Sequence, residues 1–197
     1  MRFAHGDAPT WPEARKAEVE EIIARYPDSR SAVMPLLHLA QAERGWVAQE
    51  DLEAVGRILG LSTAYVDSTA SFYAMYHRHP VGKYVITVCT NLSCHLAGAG
   101  KVLETLEKTL GIKPGETTKD GLITLEGTSE CLAACDAGPV AQVNVEYFLR
   151  LTPGKAETLV EALRSGDAEA LAGLAEHGEA GAEAVLSARV REVPAHV

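Results

Sequence analysis

Tyr84-Val-Ile-Thr-Val-Cys-Thr-Asn-Leu-Ser-Cys94 is the stretch on which the reading of the fold turns. Its first five residues are apolar, aromatic or β-branched, the composition of a buried strand. That strand runs directly into Cys89, and Cys94 follows after four intervening residues. A second pair, Cys131-Leu-Ala-Ala-Cys135, follows after 36 intervening residues. The chain has 197 residues and four cysteines, all of them in these two loops. Such a concentration of thiols suits four thiolates gathered around one small inorganic centre.

The spacing bears on which centre. Paired cysteines of structural zinc sites most often stand two residues apart, although wider loops occur. Here the gaps are four and three residues. Loops of that width can place two sulfurs on one iron while backbone N–H groups turn toward the cluster sulfides. Gly98, Gly100 and Gly138 are expected to let the backbone approach closely. On count and spacing a [2Fe–2S] cluster is favoured, and zinc stays open. A Rieske centre needs two histidine ligands; His95 adjoins Cys94 without a histidine partner near the second pair, and reads as a solvent-facing loop residue. A thioredoxin-type dithiol needs two residues between its cysteines. The Cys94-His95 step is also part of haem-attachment motifs, but that reading would leave Cys131 and Cys135 without a task.

Outward from the first cysteine loop, Gly98 to Leu110 has helical periodicity, with Val102, Leu103, Leu106 and Leu110 inward. Gly115 and Asp120-Gly121 signal turns, and Leu122–Leu125 a short strand. Val140–Val143 and Tyr147–Leu151 read as a hairpin turning near Asn144, and Gly154–Leu163 as a closing helix. This order predicts a thioredoxin-like α/β layer. Residues 1–78 predict four short helices: Val19/Ile22/Ile23/Tyr26, Val33/Leu36/Leu37/Ala40, Leu52/Val55/Leu59 and Val66/Ala70/Tyr73 mark their apolar faces. Gly45, Gly60 and Pro27 stop runs, and Ser62 caps one. Residues 166–197 are rich in Ala, Glu and Gly; Gly173, Gly178 and Gly181 weaken helix there, and the segment is expected to be a mobile or partner-ordered tail. The expected organisation is α/β: a helical bundle over 1–78, a thioredoxin-like [2Fe–2S] domain over 79–165, and the tail.

Composition narrows the partners. The net charge is −9, with 47% apolar and 23% charged residues. An acidic chain does not suit nucleic acid, whose phosphates are met by clustered Lys and Arg. The N-terminal stretch has no apolar segment ahead of a cleavage site, and no apolar run is long enough to cross a bilayer. A cytoplasmic location with reduced thiols is expected, and any membrane association would come through a partner. No Gly-x-Gly-x-x-Gly follows a strand; Gly98-Ala-Gly100 lacks the rest of that motif. The chain by itself is therefore expected to bind neither NADH nor flavin, and no residue is assigned a catalytic role.

Ala70-Ser-Phe-Tyr73, Pro80-x-Gly82, the Cys89/Cys94 loop with Gly98-Ala99, Glu130-Cys-Leu132, Cys135 and Pro139 form an ordered series. The series resembles the 24 kDa-subunit family of respiratory NADH:quinone oxidoreductase (complex I), thioredoxin-like [2Fe–2S] ferredoxins, across roughly residues 15–165. Two positions depart from it: Ala133 stands where the family usually has Gly, and Gly138 where it usually has Ala. The resemblance implies that Cys89, Cys94, Cys131 and Cys135 are the cluster ligands. It implies a flavin subunit as partner, holding NADH and FMN, and a place at the inner face of the cell membrane through the complex. Single electrons would pass between that FMN and the [2Fe–2S] centre, with a quinone downstream. The same module occurs in NAD-linked hydrogenases and formate dehydrogenases; a zinc-stabilised adaptor is the rival from another class. Phe72 is expected to pack between bundle and cluster domain, Tyr76, His77 and His79 to lie in the link, and Glu18, Glu20 and Glu21 to form a solvated helix face.

Overall fold

A computed structural model describes residues 9–128 and 130–187. The chain divides into two compact units between Pro80 and Val81.

The first unit is helical. It comprises α1 (Trp11–Ala14), α2 (Lys16–Ala24), a 3₁₀ turn (Ser29–Ala32), α3 (Val33–Arg44), α4 (Gln49–Leu59) and α5 (Thr63–Phe72). Sequence signals explain the ends. Gly45 and Gly60 take left-handed φ values of 88° and 68° at the C-termini of α3 and α4. The Ser62 hydroxyl accepts from the Tyr65 N–H at 3.3 Å and starts α5. Pro35 lies in the first turn of α3, where its missing N–H costs nothing. Leu36, Leu37, Leu52, Val55 and Val66 form the centre of the core with Trp11 and Tyr76. Asp51 is fully buried on α4 and accepts from Trp11 Nε1 (2.9 Å), the Ala48 N–H (2.9 Å) and Arg44 (3.2 Å).

Two aromatic placements differ from expectation. Phe72 is 77% exposed, its ring edge-on to that of Tyr73 at 5.1 Å. It lies two residues beyond Ala70, some 200° around the helix, while Val66 and Ala70 carry the buried face. Tyr76 is not in a link but buried, and its hydroxyl donates to the Met34 carbonyl at 3.0 Å. The Gln41 side chain spans the same segment: it donates to the Met75 carbonyl and accepts from the His77 N–H. One polar side chain thus ties residues 75–77 to α3. Glu18, Glu20 and Glu21 are exposed, as the solvated-face reading expects.

The second unit is built on a five-stranded sheet. In chain order it holds β1 (Tyr84–Cys89), α6 (Leu92–Leu96), α7 (Ala99–Leu110), β2 (Glu116–Thr117), β3 (Ile123–Thr128), a 3₁₀ turn (Cys135–Ala137), β4 (Ala141–Val143), β5 (Glu146–Phe148), α8 (Pro153–Ser165), α9 (Ala168–Ala172) and α10 (Gly178–Ser187). Strand order is β2-β3-β1-β4-β5. β1 pairs parallel with β3, from Tyr84 opposite Ile123 to Cys89 opposite Thr128, while β4 runs antiparallel to β1. Such a parallel pair requires the crossover that α6 and α7 supply. Tyr84, Ile86 and Val88 face the large core with Val102 and Leu106 of α7 and Leu159 and Leu163 of α8. The two-residue period of a strand therefore sends Cys89 to the other face.

Residues 168–187 are not a tail in the structure. They form α9 and α10, and Leu171, Ala182 and Val185 are buried in the same core as the sheet. Asp167 caps α9 by accepting from the Ala170 N–H at 3.0 Å. The glycines act at specific points: Gly173 ends α9, Gly178 opens α10, and Gly181 lets α10 approach Glu146. Residues 188–197 of that predicted tail lie outside the described residues. Among the described residues no helix is long and apolar enough to cross a membrane.

Candidate metal centre

The two cysteine loops meet at one end of the sheet. Cys89 is the last residue of β1, and its N–H donates to the Val140 carbonyl at 3.0 Å. Asn91 accepts from the Leu92 N–H at 2.7 Å and so opens α6, which turns Cys94 inward. Cys89 and Cys94 are 1% and 2% exposed and share an apolar cluster with Ala99 and Val140. Leu132, Ala134, Tyr147 and Leu149 pack against that cluster. Across from it, Cys131 and Cys135 are exposed, with their sulfurs 3.2 Å apart. All four are free thiols.

The thiols influence one another. Burial is the main reason the Cys94 thiol is pushed up; the Val140 backbone hydrogen bond opposes it, and Cys89 and Cys135 add to the rise. Cys131 lies below the ordinary thiol value because Cys135 and the Ala133 N–H both donate to its sulfur. Cys135 is raised in turn by its bond to Cys131 and by that neighbour's charge, with Ser93 opposing. Both pairs thus sit within electrostatic reach of each other, although they lie far apart in the chain. Among the described residues no three Cys, His, Asp or Glu side chains converge around a single ion; the sulfurs come as two plus two.

The backbone supplies donors. Ala133 adopts φ +62°, and its N–H lies 3.3 Å from the Cys131 sulfur. Gly138 provides the close approach expected of it: a Cβ there would stand 3.4 Å from the Cys94 sulfur and 3.5 Å from the Ala97 Cβ. Gly98 and Gly100 do not serve that purpose, since nothing lies within 4 Å of a Cβ placed on either. Gly98 instead takes φ +102° at the start of α7. His95 is exposed, on α6 rather than in a loop. The carbonyl of Val140, the Ala133 amide, and the apolar wall from Tyr147 and Leu149 were not identified from sequence. The width of the two cysteine loops led only to the expectation that backbone N–H groups turn toward cluster sulfides.

Comparison with known proteins identifies the family. A family model described as thioredoxin-like [2Fe–2S] ferredoxin matches residues 19–164. The E-type subunit of NADH-quinone oxidoreductase from Mycobacterium bovis is 46% identical over 150 residues, 76% of this chain; the chain spans only 59% of that relative's length. A second E-type subunit of NADH-quinone oxidoreductase, from Rhizobium meliloti, is 43% identical over 77% of this chain and 90% of its own. "NADH-quinone oxidoreductase subunit 2" of Thermus thermophilus is 44% identical over 75% and 83%. Among solved structures, an NAD⁺-reducing [NiFe]-hydrogenase shares the fold, with a TM-score of 0.57 at 24% identity over 66% of this chain and 23% of that one. The family match runs from α2 to α8 and takes in all four cysteines, so the chain belongs to the thioredoxin-like [2Fe–2S] ferredoxin family.

Proposed function

We propose that Cys89, Cys94, Cys131 and Cys135 hold a [2Fe–2S] cluster, one pair of thiolates to each iron. The observation that supports this most is the convergence of two distant loops into paired sulfurs, one pair 3.2 Å apart. Four thiolates are a donor set suited to iron and sulfide. When bound, the cluster supplies reversible transfer of one electron. The chain's own residues set the conditions. The Ala133 N–H offsets negative charge at Cys131, and the Val140 backbone does the same at Cys94. Tyr147, Leu149 and Leu132 keep water from the buried pair.

The assembly we infer is NADH:quinone oxidoreductase, with this chain as an electron-transfer subunit beside a flavin subunit. Single electrons would pass between the cluster here and FMN there, with NADH bound only on the partner. Location at the inner face of the membrane would follow from that assembly. Support comes from relatives at 43–46% identity that carry this subunit's name.

The test is electron paramagnetic resonance of the dithionite-reduced chain, with iron and sulfide assays. Two irons and two sulfides per chain with a spin-half signal are expected, and Cys131→Ser should lose most of both. Stoichiometric zinc without labile sulfide would establish an adaptor instead. Co-purification with an FMN-containing subunit tests the assembly; a hydrogenase or formate dehydrogenase in its place would redirect it.

A further inference from the structure

The two cysteine pairs differ in a way that cluster binding does not require. Cys89 and Cys94 are buried against Ala99 and Val140. Cys131 and Cys135 are exposed, and their sulfurs are already 3.2 Å apart. A disulfide needs about 2.05 Å between sulfurs. Closing that gap of roughly one ångström takes side-chain rotation in a stretch, residues 131–134, that has no ladder or helix to break. A small oxidant reaches these two sulfurs directly, whereas the other pair lies behind Leu132, Tyr147 and Leu149.

We propose that Cys131 and Cys135 form a reversible intrachain disulfide whenever the cluster is absent, and that this closed form cannot take up a cluster until a thiol reductant reopens it. The inference rests on the ligand assignment above for its second half only; the closure itself depends on exposure and proximity alone. The oxidant is a low-molecular-weight disulfide. One cysteine thiolate attacks it, forming a mixed disulfide and releasing one small thiol. The neighbouring thiolate then attacks the protein sulfur of that mixed disulfide, and the second small thiol leaves. Two protein thiols are oxidised, one small disulfide is reduced to two thiols, and the protein's two protons pass to those leaving thiolates. Because the second attack is intramolecular at short range, it outruns capture of a second oxidant molecule. The closed pair removes two of four ligands, so cluster loading becomes conditional on a reducing environment.

The experiment uses the full chain, with iron and sulfide assayed before and after stripping by a chelator. The stripped chain is treated with oxidised glutathione, alkylated, digested and mapped by mass spectrometry. Expected are alkylated Cys89 and Cys94 with Cys131 and Cys135 joined, and cluster uptake on reconstitution at least tenfold lower until dithiothreitol is added. A Cys89→Ser/Cys94→Ser variant should close at a rate independent of protein concentration. Recovery of glutathione adducts on both exposed cysteines, linkage through Cys89 or Cys94, or oxidation only to intermolecular dimers overturns the proposal. Unimpaired cluster uptake by the closed form overturns the gating half. Failure of the fully reduced chain to take up iron and sulfide on reconstitution, together with a clean Cys131–Cys135 disulfide on oxidation, would sink the ligand assignment and leave the closure standing.

Discussion

The amide of Ala133 reaches the sulfur of Cys131 at 3.3 Å because Ala133 holds a left-handed φ of +62°. An L-residue with a Cβ is strained there, by about 1–2 kcal/mol. The contact is local, but its value is electrostatic: after the larger effect of Cys135, it helps lower the Cys131 thiol, and it would offset charge on a ligand.

Ala133→Gly is expected to keep the amide in place and relieve the strain. The chain should gain about 1 kcal/mol in stability, read by chemical denaturation, with the reduction potential unchanged. Ala133→Pro can neither reach this φ nor offer an N–H, and should lose the cluster. A potential that shifts in the glycine variant would show that the alanine side chain, not the amide, matters.

Gly82 offers a harder test of packing. A Cβ there would stand 2.8 Å from both the carbonyl carbon and the oxygen of Leu122, and 2.9 Å from the Ile123 nitrogen. These are backbone atoms at the start of β3, and the Gly82 N–H also donates to Thr124 Oγ1 at 2.7 Å. Gly82→Ala should cost about 1–3 kcal/mol, read as an earlier urea midpoint. A midpoint equal to that of the parent chain would refute the close approach.

His177 and Glu146 supply a pH-dependent contact. The Glu146 carboxylate is buried on β5 and accepts from the His177 N–H at 2.8 Å, with Nδ1 at 3.0 Å from its second oxygen. This partnership raises the His177 imidazole above its ordinary 6.5. A raised folded value means that the extra stability is complete below the unfolded pKa and is lost as pH rises through the folded one. Amides of α10 should therefore exchange with more protection at pH 5.5 than at pH 8.5, after correction for intrinsic rates. His177→Ala should abolish most of that difference. If it persists unchanged, another group is responsible.

In the helical unit, Asp51 satisfies three donors while fully buried. Burial raises its carboxyl, against the pull of Ala48, Trp11 and Arg44. Asp51→Ala leaves those donors without an acceptor and should destabilise by about 1–3 kcal/mol, with Trp11 fluorescence reporting the transition. Asp51→Asn, which keeps one acceptor oxygen, should cost less. Equal losses in both variants would assign the effect to charge alone.

Local features were legible in the order of residues. The strand that ends in Cys89, the inward face of α7, the Asn144 turn and the glycine stops all depend on neighbours within a few residues, and the chain encodes them directly. Both cysteine pairs were evident for the same reason, as was the fold class that their flanking elements describe. Sequence alone did not reveal that Phe72 points out while Tyr76 is buried, since the choice depends on which side of α5 meets α3 and on a Gln41 amide more than thirty residues away. Nor did it show that 168–187 would fold back: an Ala- and Gly-rich segment has weak helical preference, and what orders it is burial of Leu171 and Val185 and one buried carboxylate on β5.

The chain by itself specified four thiols in two loops, because thiol spacing is a property of covalent order. Only tertiary packing decided that one pair would be walled in and the other left open to solvent. That difference arises from the sheet alternation that turns Cys89 away from the large core and from Tyr147 of β5 and Leu149 just beyond it, which close over it from more than fifty residues away in the chain.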